Sequence, residues 1–335
     1  MNSLRIIRRT VTQVVLSFLV IFVCCCFYKG KQNSEAVPVA GNPWDLPLPG
    51  GTFLPMAWIA PGTFIMGSPE TEKGRKPDES PQTSVTLTKG YWLGKTEVTI
   101  SQWKTVTGQR LHDKVLELLS DETIYDFDGK KLKERDFMGF DKNLPDKIMA
   151  NDDDVLPMYF VSWNQAMAFC KKLTLQEGAA GRLPAGYEYT LPTEAQWEYA
   201  CRAGTTGPIY LPLDDNDSNL SKIAWYVKDS GIGYKGRVLG NPPAGPRDSG
   251  GKLPNKLGLQ DMLGNLWEWC RDWYGPYPGG NVTDHVGPDT GAYRVNRGGS
   301  WGSGIYDERS ANRAKNPPNE DSAWRGFRVA LCAVK

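Results

Sequence analysis

The length, composition and charge of the chain exclude several classes of protein. It has 335 residues and a formal net charge of +1, so no strong field favours nucleic acid or an anionic membrane surface. Hydrophobic residues make up 40%, enough for a real core, while 36 glycines and 24 prolines indicate a loop-rich architecture and not a helical bundle. We therefore expect no nucleic-acid partner.

The amino terminus differs in composition from the rest of the chain. Arg5, Arg8 and Arg9 are followed by an apolar run over 11–27, an order typical of a secretory signal or an uncleaved anchor. The run of about 17 residues lies at the lower limit for crossing a bilayer. Lipidation is the lesser alternative, because Cys24 lacks the small residues that normally precede an acylated cysteine.

These features predict the domain organisation. Residues 1–30 are expected to be a signal peptide or membrane anchor, and 31–54 a linker rich in Pro and Gly. Both alternatives for the leader place the remaining domain, residues 55–335, outside the cytoplasm, in the periplasm or cell envelope. The membrane is then a partner only through the amino-terminal segment.

Sequence patterns also predict secondary structure in chain order. Thr83–Leu87 alternates as a strand does, and Tyr91–Leu93 is expected to complete a hairpin with it. Three helices are predicted from capping boxes, in which a Ser or Thr and a Gln three residues later satisfy each other's backbone donors. The boxes are Thr99–Gln102, Ser162–Gln165 and Thr193–Gln196.

Helical spacing of apolar residues indicates that the second and third of these helices face the core. Gly204 stands where the third should end. Between them and the first helix lies a charged insertion, residues 109–156, in which Val115–Leu119 predicts a helical turn or two and Asp152–Asp154 reads as a solvated loop. The core-facing residues are Ala166, Phe169, Cys170 and Leu173, then Trp197, Ala200 and Cys201.

The stretch Gly258–Tyr274 combines carboxylates with a cluster of tryptophans. Asp261 and Glu268 flank Gly264 and Asn265, a pair that bends the backbone readily. Such a bend can direct carbonyl oxygens inward between two carboxylates, as calcium sites require. The alternative is a turn whose acids are simply solvated.

Seven blocks of this sequence, in one order, resemble the formylglycine-generating (sulfatase-modifying factor) enzymes and their bacterial relatives. The resemblance implies a single α+β domain of the formylglycine-generating-enzyme fold, a C-type-lectin-like variant with little regular secondary structure. The blocks are GTFIMGS (Gly62–Ser68), YWLGKTEVTISQW (Tyr91–Trp103), PMYFVSWNQAMAFCKKL (Pro157–Leu173), YTLPTEAQWEYACRAGTT (Tyr189–Thr206), GLQDMLGNLWEWCRDWY (Gly258–Tyr274), NRGGSW (Asn296–Trp301) and GFRVAL (Gly326–Leu331).

The resemblance also implies a structural calcium ion and a disulfide. The family's calcium ligands match Asp261, Gly264, Leu266 and Glu268 in this sequence. A family disulfide matches Cys170–Cys332, which would leave Cys201 and Cys270 as a second pair. The alternative for the cysteines is four buried free thiols.

The thiolates that the family uses to hold copper are missing. In the family both cysteines lie between the GGSW-like and GFR blocks, and here the interval Gly302–Arg325 contains none. Ser303 or Ser300 takes the first position, and Ile305 or Glu308 the second. These are not the soft ligands that select Cu(I). Two histidines in the whole chain are too few for an imidazole-based metal site. We therefore expect no copper and assign no catalytic residue.

The predicted function is accordingly binding. Ser300 and Trp301 occupy the groove in the family, and Arg309 and Arg313 flank it in sequence, so these four are the predicted ligand contacts for a peptide or protein ligand. The alternative for the arginines is that they brace carboxylates and carbonyls within the fold. The alternative function is a formylglycine-generating oxidase or related enzyme. A purely structural envelope protein would be favoured if the insertion filled the groove.

Overall fold

The computed structural model describes residues 40–122, 124–127, 130–133, 155–212, 214, 218–230 and 245–334. The predicted leader and the acidic run Asp152–Asp154 lie outside these ranges. Within them, no helix is both long and apolar enough to cross a membrane.

Short strands outnumber helices in the described residues. The strands are β1 (Pro43–Pro47), β2 (Phe53–Ile59), β3 (Gly62–Met66), β4 (Thr83–Leu87), β5 (Tyr91–Gly94), β6 (Ile124–Phe127), β7 (Lys130–Lys133), β8 (Tyr187–Thr190), β9 (Ala224–Trp225), β10 (Leu263–Gly264), β11 (Trp267–Trp273), β12 (Gly280–Thr283), β13 (Arg294–Arg297), β14 (Arg313–Asn316), β15 (Arg325–Gly326) and β16 (Ala330–Ala333). The helices are α1 (Ile100–Thr107), α2 (Leu111–Ser120), α3 (Trp163–Ala179), α4 (Glu194–Arg202) and α5 (Ser218–Ile223).

The strands form several small sheets. The largest is antiparallel, in the order β1-β2-β5-β16-β8, so the last strand of the chain lies at its interior. A four-stranded sheet has the order β14-β13-β11-β15, and a three-stranded sheet the order β12-β4-β3. The pairs β9–β10 and β6–β7 are separate.

The predicted hairpin between Thr83–Leu87 and Tyr91–Leu93 is wrong, although both segments are strands. β4 pairs with β3 on one side and β12 on the other, while β5 lies between β2 and β16. Because both edges of each strand already have a neighbour, the two cannot pair with each other. The connection turns outward, and Thr88 donates from its backbone N–H and its hydroxyl to Asp284 at 2.8 and 2.6 Å.

All three predicted capping boxes are confirmed. Thr99, Ser162 and Thr193 have extended backbones and accept from the N–H of the glutamine three residues later. α4 ends at Arg202, with Ala203 and then Gly204 in the left-handed conformation. The helices begin where the side-chain chemistry predicts because the caps satisfy backbone donors that the first turn leaves free.

The helix predicted inside the insertion is longer than Val115–Leu119. α2 buries Leu111 and Val115 completely in the core. Lys114 is only 4% exposed and lies 3.5 Å from Asp321. The start of the insertion is therefore part of the folded domain and not a solvated appendage, while 134–154 lies outside the described residues.

Two clusters of buried apolar side chains form the interior. In the first, Trp103 stacks on Phe169 at 5.6 Å, and Phe327 meets both rings edge-on. The second includes Trp197 of α4 together with buried aliphatic side chains and several tyrosines. Aromatic side chains contribute much of the buried area in such cores. The carboxy-terminal GFRVAL block contributes to both clusters.

Candidate functional site

The segment after β13 turns sharply at two glycines before it reaches the predicted groove. Gly298 and Gly299 have φ of 100° and 78°, which only glycine adopts readily. A methyl group on Gly299 would overlap the Glu308 carboxylate. The backbone N–H of Ser300 then donates to Ser303 Oγ at 3.0 Å, and the two serine hydroxyl oxygens lie 3.1 Å apart.

Glu308 lies close to this serine pair; with Ile305, it is one of the two residues that the resemblance offers for the second copper-binding cysteine. It is fully buried, and neither carboxylate oxygen accepts a hydrogen bond. The N–H groups of Ser300 and Gly264 are close but already donate to Ser303 Oγ and the Gly298 carbonyl. Burial, followed by the charge of Asp307, raises the pKa of Glu308 well above its ordinary value. Burial without a hydrogen-bond donor thus favours the protonated, neutral form of this carboxyl.

Arg309 is buried, and its guanidinium donates to other groups of the protein. Its Nε donates to the Tyr306 carbonyl at 2.8 Å, and its remaining donors contact Glu72, Glu79 and the Gly74 carbonyl at 2.5 to 2.9 Å. All five N–H groups of the guanidinium are therefore used. A ligand would reach Arg309 only by displacing one of these bonds.

Arg313 is similarly placed. It forms a two-pronged ion pair with Glu194 at 2.6 and 2.9 Å and donates to the carbonyls of Asp78 and Gly275. Burial by itself would raise the pKa of Glu194, but the charges of Arg313 and Arg297 and the hydrogen bonds from Arg313 and Tyr277 together lower it. Both arginines thus have the bracing contacts that the sequence left as the alternative to ligand binding.

Aromatic side chains form one wall beside the serines. Trp301 is buried and stacks on the half-buried Trp324 at 5.9 Å. Trp301 also donates to the Ala323 carbonyl at 3.0 Å. Ser303 and Trp324 are both partly exposed, so a serine and part of an indole ring are accessible from solvent.

The predicted calcium ligands are brought together, but one carboxylate has other partners. Gly264 and Asn265 have φ of 78° and 59°, which confirms the predicted turn. Glu268 accepts from Arg328 at 2.5 and 2.6 Å and from Trp197 at 2.8 Å, so both of its oxygens are used. Asp261 is buried and keeps one oxygen, Oδ1, without a hydrogen bond.

The residues present therefore fit the implied calcium ion only in part. The free oxygen of Asp261 suits a cation, whereas the Glu268 carboxylate is already neutralised by Arg328. Within the described residues, no three His, Cys, Asp or Glu side chains are grouped to hold a metal ion. Any calcium bound here would depend on backbone carbonyls, such as those of Gly264 and Leu266.

The expected disulfides are not formed, because all four described cysteines are free thiols. Cys201 donates to Ser310 Oγ at 3.5 Å, and Cys332 accepts from Gln196 at 3.7 Å. Burial raises the pKa of Cys201 to about 12. Cys201, which contacts Ser310, is thus a buried and protonated thiol.

Two cavities among the described residues lie away from the predicted groove residues. One of about 780 Å³ is lined by Thr63 and Phe64 of β3, by Tyr199 of α4 and by Thr205. A second of about 110 Å³ is lined by residues that include His285 and Cys332. Neither of these is lined by the four predicted ligand contacts.

Sequence reasoning missed Glu97, which is fully buried with both carboxylate oxygens unpaired. Nothing in KTEVT distinguishes it from a surface acid. The sequence analysis also did not predict that Arg328 would form an ion pair with Glu268. The only available signal was the charged residue inside the otherwise apolar GFRVAL block.

The fold and this serine segment define an α+β domain of the formylglycine-generating type, with a C-type-lectin-like arrangement. The chain belongs to the corresponding family, since residues 50–333 match the sulfatase-modifying factor enzyme 1-like domain.

Three known proteins illustrate the similarity. The formylglycine-generating enzyme of Bos taurus is 32% identical over 197 residues, covering 56% of this chain and 46% of that protein. Chaperone protein LppX of Paenibacillus barcinonensis is 27% identical over 278 residues, covering 78% of this chain and 86% of that protein. The structure of Treponema denticola variable protein 1 has a TM-score of 0.63 and 24% identity, covering 89% of this chain and 100% of that one.

The similarity to Treponema denticola variable protein 1, at 24% sequence identity, shows the fold alone. The match to this chain spans about half the length of the formylglycine-generating enzymes.

Proposed function

We propose that this chain is a member of the family without formylglycine-generating oxidase activity, acting as a calcium-stabilised module that binds a peptide or protein ligand. The observation that carries the proposal is the donor set at the former copper position. Ser303 or Ser300 takes the place of the first thiolate and Ile305 or Glu308 that of the second, so a hydroxyl group and an aliphatic or carboxyl group stand where two thiolates are needed. Hard oxygen donors do not select Cu(I), so the residues present do not fit that ion.

The ligand-binding face proposed is the solvent side of the serine segment. Ser303 is partly exposed, and so is Trp324, whose ring stacks on Trp301. Hydroxyl groups and aromatic faces are common contacts in ligand sites. Arg309 and Arg313 support this face from beneath through their ion pairs, and so act as positioning residues. A relative that matches over most of its length is named a chaperone protein, which accords with a binding role.

The proposal also includes the location of the domain and its attachment to the membrane. A basic start followed by an apolar run supports export of the domain, either secreted or anchored in the membrane by its amino terminus. The ligand is then a peptide or protein of the periplasm or cell envelope.

The test is mass spectrometry of a cysteine peptide carrying the sulfatase motif, incubated with the purified domain, Cu(I) and oxygen. We expect no conversion of the cysteine to formylglycine. A formylglycine-generating enzyme of the same family, run beside it, must convert the peptide for the result to count.

Conversion by the natural domain would overturn the proposal and establish the oxidase alternative without a thiolate pair. A Ser303→Cys variant serves as a second comparison, because it restores one thiol without altering Glu308. Conversion of the peptide by that variant, but not by the natural domain, would show that the missing thiol accounts for the lack of oxidase activity.

A further inference from the structure

The strand β3 has one free edge, and it borders the larger of the two cavities. In the sheet β12-β4-β3 it pairs only with β4, while Thr63, Phe64 and Ile65 line the cavity of about 780 Å³. Alternate residues of a strand direct their backbone groups to opposite edges. Among the described residues, no backbone group bonds to β3 at the edge away from β4.

Other edge strands of the three larger sheets carry features that discourage further pairing. β1 begins and ends with proline, whereas β8 and β14 contain charged residues such as Glu188 and Lys315. Proline and charge are common means of protecting a sheet edge. β3 has neither, and Ile65 on it is 48% exposed. β12 also has neither, but it lines neither of the two cavities.

The cavity beside β3 offers no free charge to a ligand. Of the described residues that line it, only Arg202 is charged, and it is buried. Its guanidinium donates to Glu198 at 2.8 Å and to the carbonyls of Gly67 and Gly207 at 3.0 Å. An ionised ligand group would lose water here without gaining an opposite charge, which is costly. The cavity therefore fits an uncharged ligand.

An aromatic ring and hydroxyl groups line the cavity opposite the free edge. Tyr199 of α4 packs against Phe64, with their ring centroids 5.3 Å apart, and Thr205 and Thr206 follow the end of the helix. Apolar surface with a few polar groups is typical of ligand sites. A segment that paired along the whole of β3 would be five residues long.

We propose that β3 and this cavity bind an uncharged, extended peptide segment of a partner protein, which adds a fourth strand to the sheet. The backbone of the segment bonds to the free edge of β3, and its alternate side chains enter the cavity. In this mode of recognition, main-chain bonds give affinity and side-chain pockets give specificity. The cavity is not lined by the serine segment, so the inference goes beyond the function proposed above.

The experiment measures binding of the peptide acetyl-TVTVT-amide to the full domain by isothermal titration calorimetry. Threonine and valine favour an extended backbone, and the capped ends leave no charge. We expect saturable binding with a Kd of about 100 µM or below. The peptide acetyl-TVEVT-amide, which adds one negative charge, should bind at least about tenfold more weakly.

A charge placed on the edge should act in the same direction. Ile65→Lys should weaken binding of acetyl-TVTVT-amide at least about tenfold. Ile124→Lys is the matched control, because it makes the same change at an isoleucine of β6 that is 56% exposed, and it should leave binding unchanged. Circular dichroism must show that both variants fold. If Ile65→Lys does not, Thr63→Lys on the same edge strand replaces it.

Backbone N-methylation of the peptide separates strand pairing from unspecific apolar contact. Only alternate amide groups of the peptide can face β3. Methylation of the second and fourth residues, or of the first, third and fifth, should therefore abolish binding in one peptide and preserve it in the other.

Three results would overturn the inference. One is that acetyl-TVTVT-amide does not bind at about 1 mM. Another is equal binding of the two methylated peptides, which would show that no strand forms. The third is a dimer of the natural domain in sedimentation equilibrium that Ile65→Lys dissociates, because the edge would then pair with a second copy of this chain. None of them bears on oxidase activity, which is measured separately with the sulfatase-motif peptide.

Discussion

Arg328 is the residue on which the buried charges of this fold most depend. It is fully buried, paired with Glu268, and hydrogen-bonded to carbonyls on two segments of the chain, at Gly94 and Lys95 and at Gln260 and Asp261. Removing one partner of a buried ion pair leaves the other charge without compensation. The consequence should far exceed that of breaking an exposed pair.

We expect Arg328→Met to lower the free energy of unfolding by about 3–5 kcal/mol, measured by urea unfolding. Lys76→Met breaks the exposed pair with Asp307, whose side chains are 44% and 36% exposed, and should cost no more than about 1 kcal/mol. Adding Glu268→Gln to Arg328→Met should recover part of the loss. Equal effects of the two single variants would contradict the assignment.

Asp272 should make stability depend on pH in the neutral range. Burial, reinforced by the charge of Glu194, raises the pKa of Asp272 from 3.8 to about 7, against the opposing charges of Arg271 and Arg313. The folded protein keeps this proton when the unfolded chain has lost it. Its contribution to stability is therefore complete below about pH 4 and is lost as pH rises through about 7.

The prediction is that Asp272→Asn flattens this dependence. Between pH 6 and 7.5, the free energy of unfolding should fall by about 1 kcal/mol less in the variant than in the wild type. Urea unfolding at both pH values measures the difference, with Asp289→Asn, at an exposed aspartate, as the control. An unchanged slope in Asp272→Asn would show that this carboxyl is ionised in the folded domain.

At the level of elements, the helix starts are the best determined part of the fold. The capping boxes at Thr99, Ser162 and Thr193 could be predicted because each depends on two residues three positions apart. Strand partners could not, because pairing depends on neighbours far along the chain. This is why β4 and β5 were each predicted as strands while their pairing was predicted wrongly.

The cap at Thr193 gives a test at this scale. Thr193 Oγ1 accepts from the Gln196 N–H at 3.1 Å, and the side-chain oxygen of Gln196 accepts from the Thr193 N–H at 2.8 Å. Thr193→Ala removes one of these bonds and should cost about 1 kcal/mol in urea unfolding.

Thr63→Ala is a suitable comparison, since Thr63 is an exposed residue of β3 whose hydroxyl lies 2.9 Å from that of Thr86. Its effect should stay within about 0.5 kcal/mol. If Thr193→Ala cost no more unfolding free energy than Thr63→Ala, packing and not capping would determine where α4 begins.

At the scale of the whole molecule, the serine site is assembled from segments that are distant in sequence. Arg309 pairs with Glu72, 237 residues away, and Lys76 pairs with Asp307 across a similar separation. The connection between β3 and β4 is thereby fixed to the segment that carries Ser303. Sequence blocks predicted which segments would matter, but no local pattern could show that their arginines face inward.

This assembly predicts what would be needed to recover the family's metal chemistry. Ser303 Oγ accepts from the Ser300 N–H, and the same N–H lies close to the Glu308 carboxylate, so the two positions converge on one backbone group. A Ser303→Cys, Glu308→Cys double variant should therefore bind one Cu(I) per chain.

Competition with a colorimetric Cu(I) chelator measures that binding. The wild-type domain should leave the copper with the chelator, and Ser303→Cys alone should withdraw much less than the double variant, because two thiolates are needed to compete. Circular dichroism must first show that the double variant keeps the wild-type fold. A folded double variant that binds no more copper than wild type would show that the two positions do not converge, and the site would then differ from its relatives in backbone geometry as well as in side chains.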